Sequence, residues 1–284
     1  CGGGAGAPRP GHRVEGSTGI LPITGTLVHR GGYLAAASGI TSYEAIRQTF
    51  DAAMADPAVH RLVLEIDSCG GEVHGLFDLA DHIYQARGKK PITAVVNEQA
   101  YSAAYLLASA ADRIVLPRTG GVGSIGVIVA HFDQSGFDEK TGVKVTHIFA
   151  GKQKAECSPH APLSPEAHKR IQGRIDELYN LFVGTVARNR GIAESAVRGT
   201  EAGIFTGKKA LAAGLADEIA AAEMVFVRSK DAGPKGGAQK ATSFELFWGA
   251  VLAGDNPRVL QRAALEDIHG RVFGQQTPGQ TPQQ

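Results

Sequence analysis

Residues 97–114 read NEQAYSAAYLLASAADRI and place one hydroxyl, Ser102, at the head of an apolar run. A serine there is a helix cap, a small core residue or a nucleophile. The first N–H groups of a helix lack intrahelical partners and point outward with the positive end of the dipole. Those groups, beginning with Ala103, suit a developing oxyanion. A second stretch, EIDSCGGEV (65–73), ends an apolar run in Asp67-Ser68-Cys69 and continues into Gly70-Gly71. Paired glycines let a backbone approach a ligand closely and present N–H donors, and they serve a plain tight turn equally well. A phosphate loop is the weaker reading, because neither Gly-Lys-Ser/Thr nor G-x-G-x-x-G is present. A third stretch, FAGKQKAECSPHAPLSPE (149–166), carries Lys152 and Lys154. An exposed lysine is protonated and is no base, whereas one desolvated in a cleft can accept a serine's proton. Histidine is the conventional alternative. His131, with Asp133 close by, gives a serine-hydrolase pairing with Ser102, and His74 is a weaker candidate. The remaining histidines have no metal-ligand spacing, so the sequence calls for no metal and no cofactor.

Alternating strands and helices must position these groups. GILPITGTLV (19–28) reads as a strand and TSYEAIRQTFDAAMADP (41–57) as a capped helix stopped at Asp56-Pro57. RLVLEID (61–67) has the continuous apolar character of a buried parallel strand, and residues 70–87 enter a second helix. The pattern repeats as strand 91–97, helix 102–111 and strand 113–117, followed by a Gly-rich β segment over 119–132 and a strand over 143–151. A long helix from about Ser164 to Asn189 opens with Ser164 as cap and Pro165 at its first position, and two short helices and a turn follow. This alternation predicts an α/β domain with a largely parallel sheet and flanking helices over 18–228. Residues 1–17 read as a disordered Gly/Pro-rich segment, and 229–284 as a linker and short tail.

The 284 residues carry a net charge of +1, which gives no bulk electrostatic reason to expect nucleic acid or an anionic membrane as partner. No run reaches the roughly 18 apolar residues of a membrane helix, so no membrane anchor is expected in this chain. Cys1, Cys69 and Cys157 form neither a disulfide framework nor a zinc pattern, and a cytoplasmic setting fits them.

Taken in order, GILPITGTLV, LEIDSCGGEV, YSAAYLLASAADRIV, GVGSIGVIVAH, IFAGKQKAECSPHAPLSPE and FTGKKALAAGLADEI resemble the signal peptide peptidase A family of serine peptidases. Within it they are most similar to the phage head-maturation branch, over about 19–227. The resemblance implies a Clp-protease/crotonase-like fold and a Ser/Lys dyad. The family serine falls on Ser102, its lysine on Lys154 and its Gly-Gly turn on Gly70-Gly71. The oxyanion donors are then Gly71 and Ala103, with Gly70 beside them and His131 as the alternative base. It also implies polypeptide substrates, namely scaffold, portal or capsid proteins or the chain itself. A homo-oligomer is implied too, in the bacterial cytoplasm or a procapsid. Alternatives are a host-type peptidase degrading signal peptides, an inactive assembly scaffold of the same fold, and an acyl-CoA enzyme of the crotonase type. The chain departs from the family pattern at Cys69, where proline is usual, at Ala103-Ala104, where glycine is common, and at Glu156-Cys157. An acidic Glu156 so near Lys154 is expected to hold the lysine in its charged form.

Overall fold

The computed structural model describes residues 12–31 and 39–222. The disordered N-terminus expected over 1–17 therefore lies largely outside the described residues, and the linker and tail over 229–284 lie wholly outside them. Arg13–Glu15 departs from that expectation. It forms β1, a short strand antiparallel to β2 (Thr18–Val28) with Val14 opposite Gly19.

The central strands are parallel, and their order follows from their apolar runs. β4 (Arg61–Gly71) lies between β2 and β5 (Ile92–Tyr101), and β5 continues to β6 (Arg113–Leu116) and β9 (Glu218–Ile219). β3 (Ile40–Ser42) extends β2. β7 (Gly121–Gly123) pairs parallel with the far end of β5 and antiparallel with β8 (Ile204–Thr206). Leu62, Leu64 and Ile66 of β4 are buried on one face, and the intervening Val63 is buried on the other beside Ile20 and Val95. A strand covered on both sides loses the polar alternation of a half-exposed one, which is why 61–67 reads as unbroken apolar sequence.

The helices that cover the larger core start and stop where local chemistry dictates. α1 (Tyr43–Ala55) is capped by the Ser42 hydroxyl, which accepts from the Ala45 N–H at 3.2 Å. α2 (Leu76–Gln85) begins after Gly75, and α3 (Ala103–Ser109) is buried along its whole length. The long helix α5 (Pro165–Arg190) follows a short α4 (Ser135–Thr141). It has the Ser164 cap and leading proline expected, and it ends at Gly191 in the left-handed region. Two short helices, α6 (Glu194–Arg198) and α7 (Gly207–Ala212), complete the described part. Among the described residues no helix is long and apolar enough to cross a membrane.

Two expected strands are not formed. Only Gly121–Gly123 of the 119–132 segment joins the sheet, and 143–151 has no ladder partner. Ile128 is 91% exposed and Ile148 97%, with Phe132, Phe137 and Phe149 exposed between and after them. β-forming composition makes a strand only where another strand accepts its hydrogen bonds, and this segment finds none within the described residues.

Candidate active site

β4 continues four residues past Asp67, through Gly70-Gly71, instead of turning there as the paired glycines suggest. Leu27 on β2 stands opposite Gly71, and a Cβ on Gly71 would lie 1.8 Å from the Leu27 carbonyl oxygen. The glycine is required for this close approach, and the strand runs on because its neighbour does. The Glu72 N–H then donates to that same carbonyl at 2.8 Å. The Tyr43 hydroxyl in turn donates to the Glu72 carbonyl at 2.6 Å.

β5 is also longer than expected and reaches Tyr101. Its register against β4 shifts between Ile66 and Ser68, where Val96 and Ala100 are the successive partners. Glu98 has φ 75 within this irregularity. A bulge bends a strand and re-aims the residues beyond it. Here it delivers Ser102 beside Gly70, where a Cβ on Gly70 would meet the Ser102 Cβ at 2.8 Å and the Ala103 nitrogen at 3.1 Å. Gly70 itself has φ +106, which an L side chain rarely adopts.

Ser102 occupies the N-cap position of α3, but its side chain does not act as a cap. Its hydroxyl makes no capping hydrogen bond to α3, and its backbone sits at φ 51, ψ −122, in neither the extended region of ordinary caps nor the helical one. Non-glycine residues in such regions cost about 1–3 kcal/mol and persist only where their surroundings hold them. The Ser102 N–H donates to the Gly123 carbonyl at 2.9 Å, and its carbonyl accepts from Leu106 at 3.1 Å. The result is a strand, a strained serine and a helix in immediate succession, with the half-buried hydroxyl left free of side-chain partners among the described residues. Strained strand-to-helix turns expose a nucleophilic hydroxyl in α/β-hydrolases.

Sequence reasoning missed two residues that build this corner. Ser68, 1% exposed, donates to the Gly25 carbonyl at 2.6 Å and accepts from the Gly70 N–H at 3.1 Å, which fixes the glycine's unusual conformation. Gly123, the acceptor for Ser102, sits in the Gly-Val-Gly of a segment read only as β. A buried serine two residues before a glycine carries no chemical signature in sequence; its signal is the non-local carbonyl of Gly25.

Ser102, Gly70, Gly71 and Ala103 thus gather at one corner. Lys154 and His131 are placed on the 124–164 excursion. Lys154 is exposed, its N–H donates to the Gly151 carbonyl at 3.0 Å, and no hydrogen bond joins it to Ser102 among the described residues. Glu156 does not restrain it. The Glu156 carboxylate accepts from Nε and Nη2 of Arg170 on α5. His131 Nε2 lies 3.1 Å from the Ser158 carbonyl, and a carbonyl only accepts, so that nitrogen is committed as a donor. It lines a groove of about 700 Å³ between 127–132 and α5, together with Val127, Ile128, Cys157 and Ile171. His74 follows Gly71 on the irregular link to α2, and Lys152 is exposed. Among the described residues no cluster of three or more His, Cys, Asp or Glu could hold a metal, and Cys69 and Cys157 are free thiols.

Residues 85–233, more than half the chain, match the model of peptidase family S49. The head-tail preconnector protein GP5 of Enterobacteria phage P21 is 38% identical over 94% of this chain and 54% of its own length. The capsid assembly protease C of Escherichia phage lambda is 38% identical over 73% of this chain and 47% of its own. A putative signal peptide peptidase SppA of Enterococcus faecium is 33% identical over 59% and 49%. The chain spans about half the length of these relatives.

Proposed function

Because the chain belongs to peptidase family S49, we propose that it is a serine endopeptidase in which Ser102 is the nucleophile and Lys154 the base. The observation that carries this reading is the strained Ser102, its hydroxyl making no capping hydrogen bond, set between the Gly70 backbone and the first N–H of α3. In the proposed reaction Lys154, neutral when substrate fills the cleft, takes the proton of the Ser102 hydroxyl, and the oxygen attacks the peptide carbonyl. Ala103 and Gly71 N–H groups stabilise the oxyanion. Since Glu72 N–H points to β2, strand alternation assigns the N–H one residue earlier to the side away from β2. Lys154 returns the proton to the leaving amine, and water then cleaves the acyl-enzyme ester.

Lys154 reaches its partner from a neighbouring copy in this reading. The segment that carries it presents Ile128, Phe132, Ile148 and Phe149 to solvent in the single chain, which is expensive unless another subunit covers them. The substrates are polypeptides of phage capsid assembly, such as scaffold, portal or the chain itself, by analogy with the two phage relatives.

The test uses the full chain, fluorescent casein and a fluorophosphonate probe. Ser102→Ala should abolish both cleavage and labelling, and Lys154→Ala should lower both by a hundredfold or more while His131→Ala spares them. Near-wild-type cleavage by Lys154→Ala, with His131→Ala inactive, would overturn the dyad. Mixing Ser102→Ala with Lys154→Ala protein should restore part of the activity if the two groups come from different subunits.

A further inference from the structure

We propose that Arg87 is a positioning residue for Ser102: its guanidinium clamps the far end of the strand–serine–helix hairpin whose apex is the nucleophile. The inference rests on Ser102 being that nucleophile. β5 runs out to Ser102 and α3 runs straight back, so the two open ends of this hairpin, Ile92 and Ser109–Ala111, come together at its base. Asp112 closes that base. Its N–H donates to the Ile92 carbonyl at 2.9 Å and its Oδ2 accepts from the Ile92 N–H at 2.8 Å.

Arg87, just past the end of α2, then seizes the helix end. Its Nε donates to the Ala110 carbonyl at 2.9 Å, and its Nη2 donates to the carbonyls of Ser109 at 2.8 Å and of Ala111. The last carbonyls of a helix have no intrahelical donors, and a cation there also complements the helix dipole. Nη2 further reaches the Asn189 carbonyl on α5 at 3.2 Å, and Nε lies 4.0 Å from Asp112 Oδ1. Asn189, buried, donates from Nδ2 to the Ser109 hydroxyl at 3.0 Å, and that hydroxyl donates to the Leu106 carbonyl at 2.7 Å. The Arg87 and Arg188 guanidiniums both lie over the Tyr84 ring, at 4.4 and 4.6 Å from its centroid. One side chain therefore ties α2, α3, α5 and, through Asp112, the start of β5.

A seven-residue helix is far too short to be stable alone, so its axial position is set from outside. Ser102 and the Ala103 N–H move with it. The strained φ of Ser102 needs a surrounding that over-determines it, and the Ser102–Gly123 hydrogen bond supplies only the near side. Arg87 supplies the far side, about 10 Å away along the helix at 1.5 Å per residue. A lysine keeps the charge but not the planar fork that meets three successive carbonyls.

The experiment compares Arg87→Lys, Arg87→Ala and Asn189→Ala in the full chain, measuring the fluorophosphonate labelling rate of Ser102 per folded molecule, kcat and KM on a fluorescent peptide, and thermal stability. A displacement of about 1 Å at a reacting group costs on the order of a hundredfold in rate. Arg87→Lys should therefore label at least tenfold more slowly and lose kcat with KM nearly unchanged, and guanidinium chloride at non-denaturing concentration should restore part of the rate to Arg87→Ala. If Arg87→Ala does not fold, Arg87→Lys and Asn189→Ala carry the comparison. A lower melting temperature with wild-type labelling rate and kcat in Arg87→Lys would overturn the proposal and leave a purely structural arginine. A wild-type protein that the probe does not label at Ser102 would overturn the nucleophile reading itself, and this inference with it.

Discussion

Gly70 packs directly against Ser102: a Cβ placed on the glycine would lie 2.8 Å from the Ser102 Cβ, too close for any side chain. The contact joins the ends of two strands, β4 and β5, that are separated in sequence by a whole helix. If Ser102 is the nucleophile, its target must pass beside the Gly70 peptide, which is where a backbone donor is most useful to an oxyanion.

Gly70→Ala should therefore damage the site more than the fold. Overpacking costs about 1–3 kcal/mol, whereas shifting Ser102 by an ångström costs on the order of a hundredfold in rate. Thermal unfolding and fluorophosphonate labelling of the same preparation separate the two effects. Labelling at the wild-type rate would show that the corner has room to spare.

Ser102→Gly should stabilise the protein while abolishing cleavage. The wild-type residue holds φ 51 and ψ −122, and glycine adopts positive φ without a Cβ penalty. Relief of about 1 kcal/mol would raise the melting temperature by about 2–4 °C in a domain of this size. Ser102→Ala keeps the Cβ and should not show the gain, so the difference between the two variants measures the strain.

The strand–serine–helix order around Ser102 was legible in the sequence, and the geometry of the corner depended on pairings that no local stretch contains. The Ser42 and Ser164 caps act as their sequences suggest, because a cap is a contact between residues three apart. The position of Ser102 between strand and helix is likewise local. That β4 continues through Gly71 depends on Leu27, more than forty residues earlier, and that Ser68 matters depends on Gly25. The segment 143–151 misled for the converse reason: its composition favours a strand, but no described strand is there to receive it.

Asp217→Asn should loosen the end of the sheet and remove part of the acid sensitivity of the fold. Asp217 accepts from the Ile114 N–H at 2.7 Å and from both terminal nitrogens of Arg190, at 2.9 and 2.6 Å. Burial pushes its carboxyl up, but the hydrogen bonds from Arg190 and Ile114, with the charges of Arg190 and Arg113, together outweigh it and hold the group below the usual carboxylate range. A lowered folded pKa contributes stability that is complete above the unfolded value, near 4, and is lost as pH falls through the folded one. Urea denaturation should show the wild type weakening below about pH 4 and the variant weakening less. At pH 7 the variant should be less stable by on the order of 2 kcal/mol, the scale of hydrogen bonds to charged groups.

Tyr43→Phe should act at alkaline pH and at the active corner together. Burial, with the nearby Glu72 charge, pushes the Tyr43 hydroxyl up, and burial does the same to Tyr105, whose hydroxyl donates to the Leu215 carbonyl at 3.1 Å. For a group whose folded pKa is raised, stability is complete below the unfolded value and falls as pH rises beyond it, near pH 10 for tyrosine. The wild type should lose stability steadily above that pH, and Tyr43→Phe should show a shallower slope. The same substitution frees the Glu72 carbonyl, which follows Gly71 directly, at a cost of about 1 kcal/mol. If Gly71 is an oxyanion donor, kcat should fall at neutral pH with little change in KM, because the loosened N–H is needed most in the transition state. An unchanged kcat alongside the altered alkaline slope would remove Gly71 from that role and leave Ala103 as the donor to test next.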